Sequence, residues 1–183
     1  MIIKYDNKAI KYTNKWISVD SQPTPPGPTP VEYVQIGNLL WQTVNTNIDI
    51  SSGRVTQDVS IDGRSYGSQS YYNITGVSQL SSQLTDGWRV PTYSDFQALI
   101  TAVNNNASVL CATSPDWSGT NTSGFTGLPL GIYAYEQIRQ LGSGTAFYGT
   151  DGYNFTLTTD YMLIGQNSDN TYYFSVRLCK DAT

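Results

Sequence analysis

The chain has 183 residues, a formal net charge of −4, 13 % aromatic and 13 % charged residues, and no histidine. That length suits one domain with a small appendage. The missing histidine removes the commonest general base and transition-metal ligand, and with it Ser-His-Asp and Cys-His catalysis, zinc hydrolases and histidine-bearing facial triads.

Residues 1–20 alternate apolar and polar positions: Ile3 and Tyr5, then Ala9, Ile10 and Tyr12, then Trp16, Ile17 and Val19. Asp6-Asn7-Lys8 and Thr13-Asn14-Lys15 are turn signals between them, so the pattern predicts a small three-stranded β meander. Such a meander is too small to bury a core and should dock on something larger. It carries four lysines against two aspartates, whereas the remainder carries six bases and twelve acids, with no lysine between Lys15 and Lys180. This break divides the chain into two modules, and the acidic larger one disfavours nucleic acid as a partner. Residues 21–30 hold five prolines in ten positions, which favours an extended polyproline II spacer.

In the larger module, residues 31–183, strands are predicted at 31–40 and 41–44 and a short helix at 77–84. Thr92 is the N-cap of the main helix, and Asp95 sits in its first turn where a negative charge suits the dipole. Phe96, Leu99, Ile100 and Val103 follow at helical spacing, and Asn104-Asn105-Asn106 ends the run. Residues 111–144 read mostly as loop. Strands are predicted at 147–148, 154–158, 161–164 and 172–178, with turns at Asp151-Gly152 and residues 167–170.

Several chemistries find no support. No run approaches the ~20 apolar residues of a membrane span, so no membrane insertion is expected. The opening Met1-Ile2-Ile3-Lys4 lacks the apolar core of a leader peptide, which points to a protein made in a cytoplasm or assembled there into a released particle. Gly142-Ser143-Gly144 lacks the lysine of a phosphate loop. Glycosidase chemistry needs two facing carboxylates, and nothing in the sequence marks a pair. Asp151, Asp160 and Asp169 fall at turns and could face a hard cation, although solvated turn aspartates are commoner. Asn73, Asn121 and Asn154 open N-glycosylation patterns of the kind expected by chance in so Ser-, Thr- and Asn-rich a chain. Cys111 and Cys179 allow at most one disulfide; a bonded pair and two free buried thiols both stay open, a cytoplasmic origin favouring the second. No cofactor is implied.

Four motifs occur in order: Gly37-Asn38-Leu39-Leu40-Trp41-Gln42, continuing to Asn45; Gly87-Trp88-Arg89-Val90-Pro91-Thr92, continuing to Asp95 and Phe96; Gly124-Phe125-Thr126-Gly127-Leu128-Pro129-Leu130-Gly131; and Phe174-Ser175-Val176-Arg177-Leu178-Cys179-Lys180-Asp181. Together they resemble the Fibrobacter succinogenes major paralogous domain, a bacterial and phage module related to the C-type lectin-like fold. The resemblance covers about residues 31–181. It departs at Phe147-Tyr148-Gly149-Thr150, where the family often has a Trp-Ser-Ser element. It implies an α+β, C-type lectin-like domain with one main helix, a long loop region and terminal antiparallel strands. Trp41, Trp88, Arg89, Pro91, Phe125, Leu128, Val176 and Arg177 are then domain builders, the two arginines bridging loops. The calcium-site motifs of lectins of this fold are missing, and Leu128-Pro129-Leu130 stands at the loop position without a carboxylate. Formylglycine chemistry is likewise set aside, because no second cysteine lies near Cys179.

The residues left for recognition are Tyr133, Tyr135, Tyr148, Asp151, Tyr153, Asn154, Tyr161 and Asn167. In related phage and bacterial proteins diversified by retroelements, the variable positions lie in this C-terminal part. Tyrosine also gives a large contact area at low entropic cost, although tyrosines equally fill strand faces. Residues 1–20 resemble N-terminal segments of fibre and tail-associated proteins from phages of gut Bacteroidales, which implies virion anchoring through Ile3, Tyr5, Ile10, Tyr12 and Trp16. The expected object is a non-enzymatic fibre or decoration protein in the virion, trimeric, binding a host-surface glycan or protein. A secreted or cell-surface structural or adhesion module of a Bacteroidota bacterium is the alternative.

Overall fold

Gly37 and Asn38 turn the chain between β3 (Tyr33–Ile36) and β4 (Leu39–Gln42). Gly37 takes φ +62°, a left-handed conformation open to glycine without strain. The predicted break between residues 40 and 41 falls here instead, so Leu40 and Trp41 share one strand. The computed structural model describes residues 10–12, 15–17 and 32–182. The chain divides into two compact units, Met1–Val31 and Glu32–Thr183.

In the first unit, β1 (Ile10–Tyr12) and β2 (Lys15–Ile17) form an antiparallel pair, with Ile10 opposite Ile17, Lys11 opposite Trp16 and Tyr12 opposite Lys15. The predicted third strand, with Ile3 and Tyr5, and the proline-rich spacer lie outside the described residues.

In the second unit, the final strand β13 (Cys179–Asp181) pairs with β4, giving the sheet order β13-β4-β3. A long hairpin follows β4, with β5 (Arg54–Ile61) and β6 (Arg64–Tyr72) joined at Asp62-Gly63. Both turn residues have positive φ, 50° and 80°, as an Asp-Gly hairpin turn demands. Next comes α1 (Ile74–Gln83), three residues longer at its start than predicted, because the Asn73 side chain accepts from the Gly76 N–H and caps it. The main helix α2 (Tyr93–Ala102) opens as predicted. Thr92 and Asp95 bond each other's backbone N–H in a capping box. Asn104 and Asn105, both left-handed, end it.

The stretch predicted as loop holds a second hairpin, β7 (Ile132–Ala134) and β8 (Gln137–Arg139), turned at Tyr135-Glu136. β9 (Thr145–Tyr148), β10 (Tyr153–Leu157) and β11 (Met162–Gln166) form an antiparallel sheet in the order β11-β10-β9. The single strand predicted over 172–178 breaks into β12 (Tyr172–Tyr173), which pairs with β7, and isolated bridges from Phe174 to Tyr72 and from Ser175 to Phe147. The unit is α+β, with two helices and several antiparallel sheets.

Two apolar clusters hold it together. Trp41 lies 6.2 Å from Phe96 and 5.8 Å from Phe125, with Phe147, Phe155, Leu99 and Leu110 around them. Tyr72, Val77, Leu80, Tyr148, Phe174 and Val176 make the other. Burying each such side chain is worth roughly 1.5–3 kcal/mol. Trp88 and Leu128, read as core residues, are only half-buried. Trp88 covers an edge, 6.1 Å from Tyr33 and with the Lys180 ammonium 4.9 Å from its ring. Cys111 and Cys179 are free, buried thiols.

Candidate binding site

The turn between β7 and β8 lifts Tyr135 out of the fold. Tyr135 takes φ +52° and is 59 % exposed. Its hydroxyl lies 2.9 Å from that of Tyr172, the two rings meet edge-on at 5.6 Å, and the Arg139 guanidinium sits 5.0 Å from the Tyr135 ring. The hydroxyl contact from Tyr135 is the first cause that raises the Tyr172 phenol above its ordinary value. On the same small sheet Tyr133 meets Tyr173 edge-on at 5.8 Å and Tyr71 at 6.4 Å. Tyr135 is thus joined by Tyr172 and Arg139, and Tyr133 separately by Tyr173 and the buried Tyr71, none of which the sequence marks as a contact residue. The register that pairs Tyr172 with Ala134 and Tyr173 with Tyr133 brings them together across almost forty positions of chain.

The other predicted contact residues do not join this surface. Tyr148 is fully buried, meets Phe174 edge-on at 4.8 Å, and donates to the Asn167 carbonyl at 2.6 Å. Burial, helped by Asp169, pushes its phenol up to about 12. It belongs to the core, because β9 is buried along its whole length. Asn154 is also buried, on the central strand β10. Asn167 shapes a turn, its side-chain oxygen accepting from the Asp169 N–H at 2.8 Å. Tyr153 is half-buried 5.0 Å from Tyr93 of α2. Asp151 is exposed beside it, at φ +58°. Tyr161 is exposed at the opposite end of the β10–β11 ladder, since Tyr153 pairs with Gln166 and Leu157 with Met162.

A cleft of about 320 Å³ opens between the segment after β4, the strand β6 and the Thr126–Leu130 stretch. Asn45, Asn47, Ser68, Ser70 and Thr126 give it polar walls, Leu128 and Leu130 an apolar one, and Arg177 lies at its base. Arg177 is 1 % exposed, and no carboxylate pairs with it among the described residues. It donates from Nη1 to the Phe125 carbonyl and from Nη2 to Asn45 Oδ1 at 2.8 Å, and lies over the Phe125 ring at 4.3 Å. Its Nε has no partner among the described residues. Desolvation pulls its pKa down to about 9, which leaves it charged at neutral pH. Arg89, by contrast, is matched by Asp95 at 2.8 Å and Asp181 at 2.9 Å and ties α2 to β13. Both arginines bridge loops or elements, and only Arg177 does so as an uncompensated charge.

Comparison with family models, curated proteins and solved structures finds no match. Chemistry at the site therefore rests on its own residues. Among the described residues no group of three or more His, Cys, Asp or Glu side chains converges, so Asp151, Asp160 and Asp169 do not form a cation cage. No described helix is long and apolar enough to cross a membrane. Two of the three glycosylation patterns start at buried asparagines, Asn73 and Asn154, and Asn121 bonds Thr126 with both ends of its amide. Around Tyr135 the surface offers the Tyr135 and Tyr172 hydroxyls and the Arg139 guanidinium.

Proposed function

We propose that this chain is a non-enzymatic, virion-attached fibre or decoration protein whose larger unit, a C-type lectin-like head of the Fibrobacter major paralogous kind, binds a host-surface glycan or protein. The observation that carries the reading is the raised Tyr135–Tyr172–Arg139 surface. Tyrosine rings stack on sugar faces or on side chains, lose little rotamer freedom on binding, and keep a hydroxyl for hydrogen bonds. An arginine held over a ring adds a directed donor. The lectin-like reading draws support from α2 standing ahead of a long, weakly regular stretch and the terminal strands. The anchoring role draws on the small, lysine-bearing β unit ahead of a proline-rich spacer. Homotrimer formation would multiply a weak contact by avidity.

Two measurements test this. Purified particles of the source phage should contain the chain by immunoblot, and particles without it would sink the virion assignment. Full-length protein should bind host cells, and a Tyr135→Ala/Tyr172→Ala variant with an unchanged melting curve should bind at least tenfold more weakly. Equal binding by the variant would overturn the assignment of this surface.

A further inference from the structure

We infer that the cleft over Arg177 is a second binding site, one that takes a carboxylate-bearing monosaccharide unit. A buried guanidinium normally faces an acid, because an unpaired charge in a low-dielectric interior is strongly unfavourable. Arg177 faces carbonyls, an amide and two aromatic rings instead. Its positive field is therefore uncancelled, and the open space beside it is the cleft.

Asn45 couples the two. Its Oδ1 accepts from Arg177 Nη2, and its amide N–H₂ group has no partner among the described residues. The amide is half-exposed in the cleft wall, so a carboxylate can bond it without displacing Arg177. The cation polarises that amide and strengthens the donation. Arg54 does not cancel or duplicate this charge, because it bonds Asp49 at 2.6 Å and Asn47 at 2.6 Å.

The rest of the cleft suits a sugar ring. The exposed Ser68 hydroxyl can exchange hydrogen bonds with sugar hydroxyls and half-buried Leu128 presents an apolar face to ring C–H groups, while Ser70 and Thr126, whose hydroxyls are bonded within the protein, shape the walls. A volume of about 320 Å³ is at the small end for ligand sites, which run from roughly 300 to 1,000 Å³, and fits a single unit rather than a chain. One uncompensated positive charge matches one carboxylate better than a phosphate dianion. The cleft shares no side chain with the Tyr135 surface, so either assignment can fail alone.

The test titrates the full-length, isotope-labelled chain with D-glucuronate, D-glucose and inorganic phosphate, following backbone amide shifts of Asn45, Thr126 and Gly127. Saturable shifts are expected for glucuronate, with glucose and phosphate each at least tenfold weaker. Asn45→Asp would set a carboxylate against Arg177 and should weaken glucuronate at least tenfold. Asn45→Ala, which removes the relay without adding charge, should also weaken it and serves if the aspartate variant melts early. Absence of saturable shifts, equal affinity for glucose, tighter binding of phosphate, or wild-type affinity in both variants would each overturn the proposal. The Tyr135→Ala/Tyr172→Ala variant should keep its glucuronate affinity, and loss of it there would also count against a separate site.

Discussion

Cys111 and Cys179 illustrate how burial sets reactivity. Desolvation, helped by Asp160, pushes the Cys111 thiol up to about 12, and burial drives Cys179 upward as well. Cys111 Sγ lies 3.4 Å from the carbonyls of both Ala107 and Thr158, either of which can accept its single S–H. The nucleophilic thiolate is thus suppressed at both positions. Neither thiol should react with a maleimide at pH 8 in the folded protein, and both should react in denaturant; rapid native labelling of either would contradict the structure. Gly76 makes a steric case. A Cβ there would run into the Gly53 carbonyl, and one on Gly53, at φ +78°, would run into the Gly76 backbone. Gly76→Ala should lower stability by about 1–3 kcal/mol, read from the urea midpoint.

The capping box of α2 links local sequence to acid stability. Desolvation works to raise the Asp95 carboxyl, but the Thr92 backbone N–H, the Arg89 guanidinium and the Thr92 hydroxyl together hold it below its ordinary 3.8. A depressed carboxyl stabilises the fold above the unfolded-state value and loses that contribution as pH falls through the folded one. Asp95→Asn should therefore cost about 1 kcal/mol at neutral pH and flatten the loss of stability below pH 4. Denaturation followed from pH 2 to 7 checks both, and an unchanged acid limb would refute the coupling. This helix was legible because cap, charge and apolar spacing all agree between Thr92 and Val103. The β5–β6 hairpin was not read, although Asp62-Gly63 is a strong turn signal. β5 does alternate, with Val55, Gln57, Val59 and Ile61 turned inward between exposed Thr56, Asp58 and Ser60, but β6 does not: it is mostly exposed up to Gln69 and then buries Ser70, Tyr71 and Tyr72 in succession. The binding surface was legible only where tyrosines sit close in sequence. Tyr71 and Tyr172 reach Tyr133 and Tyr135 through long-range pairing, and Tyr148 looked like its neighbours until the strand order buried it. The Arg177 cleft joins residues 45, 70, 126 and 177, a juxtaposition with no local signature.

The second unit carries its own two apolar clusters and its own sheets, drawn entirely from described residues beyond Glu32. A fragment spanning residues 32–183 should therefore fold alone, with a melting midpoint matching that of the full chain. A fragment that melts well below it, or not cooperatively, would show that the unit depends on residues 1–31. The pairing of β4 with β13 has a further effect on how this unit comes into being. Trp41 emerges from the ribosome long before its strand partner Cys179. Until that segment is made, β4 has an open edge and the buried stretch from Phe174 to Cys179 is missing from the core. The nascent unit therefore closes only once Cys179–Asp181 has emerged, and a stop placed before Phe174 would leave an unfinished, edge-exposed chain in place of a slightly shorter protein.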